Sequence, residues 1–167
     1  MARLQSHQSW NPPSGNCFKL NVDAAFLSDS KKANLGMVVR DSSGTVQVCA
    51  VTKVDNIDSA LQAELRAILF GLEIAQENLL TPLTVESDSL VAVKEILKGK
   101  ETFCEWECII ADICDLAREF ERCNFCFINR TANECAHNIA KLLCDLGDQK
   151  IWRNSWPPFF CNPDLVL

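Results

Sequence analysis

Three acidic residues lie at points of the chain where a carboxylate calls for a partner. Asp23 interrupts the run KLNVDAAF, in which Leu20, Val22 and Ala24 share one face of a strand pattern. A charge within an apolar-rich strand is costly unless something compensates it. Asp23 is therefore a candidate functional residue, although an Asp that caps a turn at a strand end would have the same spacing.

Glu64 and Asp88 occupy comparable places on later elements. Glu64 lies beside Ile68 at the edge of an apolar stripe of helical spacing, which brings its carboxylate close to the sheet under this helix. Asp88 stands where the buried run LTVESD gives way to a helix, and open α/β sheets bind ligands at the carboxyl ends of strands. Each also has an ordinary explanation, since Glu is favoured in a first helical turn and Asp is a common N-cap.

The three acids can meet, because they belong to a strand, to the helix packed on that sheet and to the end of a neighbouring strand. Carboxylates gathered at one point repel one another unless cations lie between them. Hard oxygen ligands with open positions suit Mg²⁺, with Mn²⁺ as the alternative ion. The sequence therefore predicts a metal site formed by Asp23, Glu64 and Asp88.

The elements that must position these acids begin with three strands. Apolar and polar residues alternate over 17–26, and a second apolar run covers 35–39 before the turn signal RDSSG. A third alternating run follows and puts four residues on one side: Val46, Val48, Ala50 and Val54. Three strands joined by short loops indicate an antiparallel meander.

Beyond these strands the apolar period becomes helical. An apolar stripe marks the first helix: Leu61, Leu65, Ile68, Leu72 and Ala75. Three capping boxes mark helix starts: Ser59 with Gln62, Thr102 with Glu105, and Thr131 with Glu134. The predicted order is β-β-β-α-β-α-α-β-α. It indicates an α/β fold with one mixed five-stranded sheet, three antiparallel strands and then parallel ones, and helices on both faces.

A chain of 167 residues has the size of one domain. Residues 1–16 are punctuated by Pro12, Pro13 and Gly15 and are predicted to be a flexible lead-in. The domain is predicted to cover 17–146. The last segment, 147–167, is rich in Pro and aromatic residues and is predicted to be an irregular strap packed on the domain.

Charge and composition limit the classes of function. The formal net charge of −6 argues against binding nucleic acid by net charge alone, although bound divalent cations would change the local field. No run approaches the roughly 18 apolar residues of a membrane span. The ten cysteines lie largely on apolar or helical segments without a signal peptide, so we interpret them as reduced, buried thiols in an intracellular compartment. Cys123 and Cys126 have CxxC spacing, but no second pair completes a zinc site.

Four motifs stand in order along the chain: KLNVDAAF, QAELRAILFGL, VESDS and NRTANECAHNIAK. Together they resemble the ribonuclease H-like superfamily, and most closely the reverse-transcriptase-like ribonuclease H domains of plants. The resemblance covers about Cys17 to Leu146. It implies that Asp23, Glu64 and Asp88 correspond to the first three catalytic acids of that superfamily.

The resemblance has three departures. His137, within NECAH, occupies the position of the fourth catalytic acid, and Ala24 stands where the motif usually has Gly. The acidic and apolar segment around 104–114 has no counterpart of the basic protrusion with which some bacterial enzymes hold substrate. His137 has two interpretations: a catalytic imidazole that binds a metal or moves a proton near the leaving oxygen, or a structural His on the helix surface.

The resemblance implies a metal-dependent endonuclease that hydrolyses the RNA strand of RNA–DNA hybrids with two Mg²⁺ ions. The shape of the duplex and its 2′-hydroxyls would select the substrate. Five polar residues are predicted to contact its backbone: Asn21, Ser87, Ser89, Arg130 and Asn133. The alternative is a catalytically weak or silent module from a retroelement that binds nucleic acid or a protein partner. A related exonuclease would want another acid near Asp23, where Asn21 stands instead.

Overall fold

The computed structural model describes residues 9–99, 106–142, 147–158, 160, 161 and 163. Its strands are β1 (Phe18–Leu27), β2 (Lys32–Arg40), β3 (Val46–Val54), β4 (Leu83–Ser87), β5 (Cys123–Phe127) and β6 (Gln149–Arg153). Its α-helices are α1 (Ala60–Glu77), α2 (Leu90–Lys98), α3 (Glu107–Ala117) and α4 (Glu134–Ala140). Short 3-10 turns cover Ser28–Ser30 and Arg130–Asn133. The predicted order of elements is confirmed, with one strand added at its end.

The strands form one mixed sheet in the order β5-β4-β1-β2-β3-β6. Strands β1, β2 and β3 pair antiparallel, whereas β4 pairs parallel with β1 and β5 parallel with β4. The sheet has six strands rather than the predicted five. The sixth, β6, comes from the segment predicted to be irregular and pairs antiparallel with β3. Its five residues, QKIWR, are too few for a clear alternation, so the pairing partner defines this strand.

Helices cover both faces of the sheet, as predicted. The larger core lies between the sheet and helices α1, α2 and α3, and includes Leu20, Val22 and Ile68. A smaller core lies under α4 and includes Val38 and Ile139. This second layer is the one that faces the odd-numbered residues of β1, because successive side chains of a strand point to opposite faces.

One residue of β3 lies on the other face from the one predicted. A register shift between Val39 and Arg40 pairs Val39 with Val48 but Arg40 with Val46. Two residues of β3 therefore oppose one of β2, which is a β-bulge. Val46 consequently packs in the smaller core, apart from Val48 and Ala50.

The capping boxes have different outcomes. Ser59 Oγ accepts from Gln62 N at 3.1 Å, so the first predicted helix start is confirmed, whereas Gln62 Oε1 accepts from Asp58 N at 2.7 Å rather than from Ser59 N. The second, Thr102 with Glu105, lies outside the described residues. The third start was wrong by two residues, because 130–133 form a 3-10 turn and the N-cap of α4 is Asn133 rather than Thr131. The residue before α4, Asn133, does not cap the helix with its side chain and instead donates from Nδ2 to the Val22 carbonyl oxygen.

Part of the predicted lead-in packs against the sheet. The Arg40 guanidinium carbon lies 3.5 Å from the centroid of the Trp10 ring. Lys19 Nζ donates to the Asn11 carbonyl oxygen at 2.7 Å. Residues 9–11 therefore pack on the face of the sheet that α4 also covers. There the Trp10 ring covers the buried guanidinium of Arg40.

The described cysteines are free thiols. Cys49 and Cys135 are buried as predicted, whereas Cys108, Cys126 and Cys161 are exposed. Burial raises the pKa of the Cys49 thiol to about 12, which keeps it a neutral apolar group. Among the described residues, no helix is both long and apolar enough to cross a membrane.

Candidate functional site

The three predicted acids meet at one edge of the split between β1 and β4. Parallel pairing of these strands ends at Val22 with Ser87, so the next residue of each strand leaves the ladder. Those next residues are Asp23 and Asp88. The ligand oxygens of Asp23, Glu64 and Asp88 all lie within 4.8 Å of one another.

Glu64 reaches this split because α1 packs very closely on β1. A Cβ at Gly71 would lie 2.8 Å from Val22 Cγ1 and 3.0 Å from Leu20 Cδ2, so a larger residue would require these side chains to shift. Glu64 precedes Gly71 by about two helical turns and therefore shares its face. The helix thus brings Glu64 to the position where β1 presents Asp23.

The electrostatics of the cluster favour protonation of one member. Burial, followed by the charges of Asp23 and Asp88, raises the pKa of Glu64 to about 9. The pKa of Asp88 is also raised, first by burial and then by the charge of Asp23. The nearby Arg130 guanidinium and a hydrogen bond with Asn133 act on the pKa of Asp88 in the opposite direction.

The donor set fits a hard divalent cation. Glu64 Oε2 is buried and has no hydrogen-bond partner. A buried acceptor without a partner is costly, and a cation between three carboxylates would satisfy it and relieve their repulsion. Among the residues that the structure describes, these three form the one group of acidic, His or Cys side chains close enough together to share a metal ion.

His137 contacts the cluster through Asp23. Its Nδ1 lies 2.7 Å from Asp23 Oδ2, and the His side chain is partly exposed. Gly36, which pairs with Asp23 across β1 and β2, permits this contact, because a Cβ there would lie 2.5 Å from the Ala140 backbone nitrogen of α4. A glycine in β2 therefore lets α4 lie low enough for His137 to reach β1.

The predicted substrate contacts fall into two groups. Arg130 is exposed and Ser89 is partly exposed, and both line the cleft above the acids. Ser89 Oγ also accepts from Ala92 N as the N-cap of α2. The other three side chains are fully buried, so they present no surface to a substrate in this structure: Asn21, Ser87 and Asn133. They lie behind the acids, and their contact with the backbone of a bound strand stays a prediction.

Sequence reasoning missed Phe127, which lines the same cleft and is 44 % exposed. Its signal was available in the run NFCFIN. Phe125 and Phe127 share one face of β5 by alternation. Phe125 packs against the larger core, whereas Phe127 ends the strand beside the cleft and stays uncovered.

The comparisons with known proteins agree with this arrangement. The profile of a family described as reverse transcriptase-like matches residues 21–143, which include all three acids and His137. The chain belongs to this family. The comparison with curated proteins found no match.

Solved structures show that this member of the reverse-transcriptase-like family has the fold of ribonuclease H domains. It is similar to the N-terminal RNase H domain of a Mycobacterium tuberculosis protein, with 22 % identity, a TM-score of 0.66, and coverage of 74 % of this chain and 89 % of that one. RNase H1 of Halobacterium salinarum is 19 % identical with a TM-score of 0.68, and the match covers 74 % of this chain and 93 % of that one. LC11-RNase H1, isolated from compost and solved with an RNA/DNA hybrid, is 20 % identical with a TM-score of 0.65. That match covers 73 % of this chain and 92 % of the other. At these identities the likeness establishes the fold.

Proposed function

We propose that this chain is a metal-dependent endonuclease that hydrolyses the RNA strand of RNA–DNA hybrids. The observation that carries the proposal is the meeting of Asp23, Glu64 and Asp88 around a buried, unsatisfied carboxylate oxygen. Membership of the reverse-transcriptase-like family and the likeness to a hybrid-bound RNase H1 support the choice of substrate.

Asp23, Glu64 and Asp88 would hold Mg²⁺, or Mn²⁺ in its place. Two such ions would supply an activated water and stabilise the leaving 3′ oxygen. For binding, Glu64 must release its proton, because its pKa is raised to about 9 without a cation. Glu64 thus coordinates only after it ionises, with the cation compensating the repulsion among the carboxylates.

The surrounding side chains have separate roles in this proposal. His137 holds one oxygen of Asp23 through Nδ1, which leaves Nε2 as the nitrogen that can give a proton to the leaving group. Arg130 is exposed beside Asp88 and can pair with a backbone phosphate of the bound strand. Phe127 offers an exposed ring at the other wall of the cleft for contact with a base or sugar.

A second candidate function is a binding module without turnover. The close His137–Asp23 contact favours it, because an imidazole stands where the family resemblance places a fourth acid. Within this alternative, the net charge of −6 disfavours strong retention of a polyanion and therefore favours a protein as the partner. In this case the chain would bind a hybrid, or a protein, and leave the RNA intact.

The deciding experiment compares hybrid cleavage by the parent and by two charge-neutral variants, Asp23→Asn and Asp88→Asn, in Mg²⁺ and in Mn²⁺. Asp29→Asn is the matched control, because Asp29 is exposed in the 3-10 turn beyond β1. We expect cleavage by the parent and the control and loss of cleavage in both site variants. Binding without cleavage by the parent would favour the module, and equal cleavage by all four proteins would exclude the proposed site.

A further inference from the structure

The split between β1 and β4 is closed by a side chain rather than by backbone pairing. After the last pair, Val22 with Ser87, the Ser87 carbonyl oxygen accepts from Ile128 N at 3.0 Å. The Val22 carbonyl oxygen instead accepts from Asn133 Nδ2 at 2.8 Å. Asn133 therefore takes the place of a strand partner at the point where Asp23 leaves the ladder.

Asn133 lies between the two sides of the split. It is fully buried, and its side chain acts to lower the pKa of the neighbouring Asp88 carboxyl. One carboxamide thus bonds the peptide that precedes Asp23 and lies beside the carboxylate that follows β4. Its position helps to set how far apart Asp23 and Asp88 stand.

The orientation of Asn133 is fixed by a second carboxamide. Asn133 Oδ1 accepts from Asn21 Nδ2 at 3.3 Å. Asn21 in turn cannot exchange its oxygen and nitrogen, because Arg40 Nη2 donates to its Oδ1 at 3.0 Å and its Nδ2 donates to Glu86 Oε2 at 2.9 Å. A cation on one side and an anion on the other therefore orient Asn21, and Asn21 orients Asn133.

The charges behind Asn21 are themselves enclosed. Arg40 is 1 % exposed and Glu86 is 6 % exposed. Lys19 Nζ lies 2.8 Å from Glu86 Oε1, and the Trp10 ring covers the Arg40 guanidinium. Buried ion networks of this kind are weak evidence for stability, since apolar replacements often serve stability as well. The orientation of Asn21 explains better why the charges of Arg40 and Glu86 are buried.

We propose that Asn133 is a positioning residue for the acidic site, held in its orientation by the chain Trp10–Arg40–Asn21. Through it, residues 9–11, which lie outside the folded domain predicted from the sequence, control the affinity of Asp23 and Asp88 for a divalent cation. This inference rests on the metal site of the proposed function, not on the cleavage of hybrid, since it takes the acids to be cation ligands.

The test is a calorimetric titration of the full chain with Mn²⁺ in the absence of nucleic acid. Removing a side chain that orients metal ligands typically weakens metal binding by about 10- to 100-fold. We expect a loss in this range for Asn133→Ala and also for Asn133→Asp, because an acceptor-only group would face the Val22 carbonyl oxygen and Asp88. Thermal melting in EDTA identifies the variants that remain folded.

Trp10 provides an independent test of the proposal, since its ring contacts Arg40 and Lys19 rather than the three acids or Asn133. Trp10→Ala is expected to weaken Mn²⁺ binding, and Trp10→Phe to restore it, because a phenyl ring can still cover Arg40. Trp156→Ala is the matched control: Trp156 is also a tryptophan packed against the α4 side of the sheet, and its ring stacks on Phe160 with the centroids 4.9 Å apart rather than on Arg40. It is expected to bind Mn²⁺ as the parent does.

The outcomes separate the two proposals. Folded Asn133 variants that bind Mn²⁺ like the parent would overturn the positioning role, and so would equal effects of Trp10→Ala and Trp156→Ala. If the Asn133 variants do not fold, the Trp10 series alone decides. Parent protein that binds Mn²⁺ but does not cleave hybrid contradicts the proposed function and leaves positioning standing. Parent protein that binds no Mn²⁺ contradicts both.

Discussion

At the scale of single residues, Glu64 is the most informative group of the site. Its buried oxygen has no hydrogen-bond partner, and burial with two neighbouring acids raises its pKa to about 9. The metal-free protein therefore keeps this carboxyl protonated at neutral pH. Cation binding must displace that proton, so affinity and stability are both linked to pH through one side chain.

This linkage predicts the pH dependence of stability without metal. An acid whose pKa is higher in the folded than in the unfolded chain contributes stability below its unfolded pKa, 4.5, and loses it as pH rises toward about 9. The free energy of unfolding in EDTA should therefore decline over this window in the parent. Glu64→Gln should decline less, because an amide does not ionise. Urea denaturation at about pH 5, 7 and 9 measures this free energy of unfolding. An identical decline with pH in both proteins would contradict the prediction.

His137 supports a second prediction at this scale. If it gives a proton to the leaving group, His137→Ala should lower kcat for hybrid cleavage by about 100-fold or more and leave KM nearly unchanged. Asn138→Ala, one residue further along α4 and also partly exposed, is the control. A kcat equal to that of the parent would leave His137 with the structural interpretation.

At the scale of elements, the site depends on two close approaches made by glycine. Gly71 lets α1 bring Glu64 to β1, and Gly36 lets α4 bring His137 to Asp23. The two contacts differ in kind. A Cβ at Gly36 meets backbone atoms of Ala140, whereas a Cβ at Gly71 meets methyl groups of Leu20 and Val22.

The difference predicts unequal effects of the same substitution. Gly36→Ala should destabilise the fold by about 1–3 kcal/mol, because the backbone of α4 must move away from the sheet. Gly71→Ala should cost less, since side chains can shift and Ala gains helix propensity over Gly by about 1 kcal/mol. Urea denaturation of both variants tests the order, and a larger loss for Gly71→Ala would refute it.

The elements also show how far the sequence could predict the structure. Long periodic segments predicted the meander, α1 and the place of the three acids, since their patterns reflect local burial. Strand β6, the bulge that moves Val46 and the late start of α4 depend on partners far along the chain. For the same reason the sequence did not show that Asn21 and Asn133 are buried: their polar groups are satisfied by buried residues from other segments.

At the scale of the whole molecule, an acidic protein is proposed to act on a polyanion. The net charge of −6 means that attraction must come from local cations. Exposed Arg130 beside the acids is such a group, and bound divalent ions would be another. Binding should therefore be weak and strongly dependent on both divalent metal and salt.

Arg130→Ala tests this balance. Loss of one phosphate contact should weaken hybrid binding and lower the slope of log affinity against log salt by about 1. Arg118→Ala is the control. Arg118 is a surface residue that directly follows α3 and pairs with Asp115 of that helix. Fluorescence anisotropy with a labelled hybrid, in Ca²⁺ to limit turnover, gives both slopes. Equal slopes for Arg130→Ala and the parent would remove Arg130 from the interface.

The most direct test of the central claim is a comparison of three duplexes of one sequence: RNA–DNA hybrid, double-stranded RNA and double-stranded DNA. Each is incubated with the parent and with Asp88→Asn in Mg²⁺, Mn²⁺ and EDTA. We predict cleavage of the RNA strand of the hybrid alone, dependent on the metal and absent in Asp88→Asn. An intact hybrid with the parent in both metals, or cleavage that persists in EDTA or in Asp88→Asn, would contradict the account.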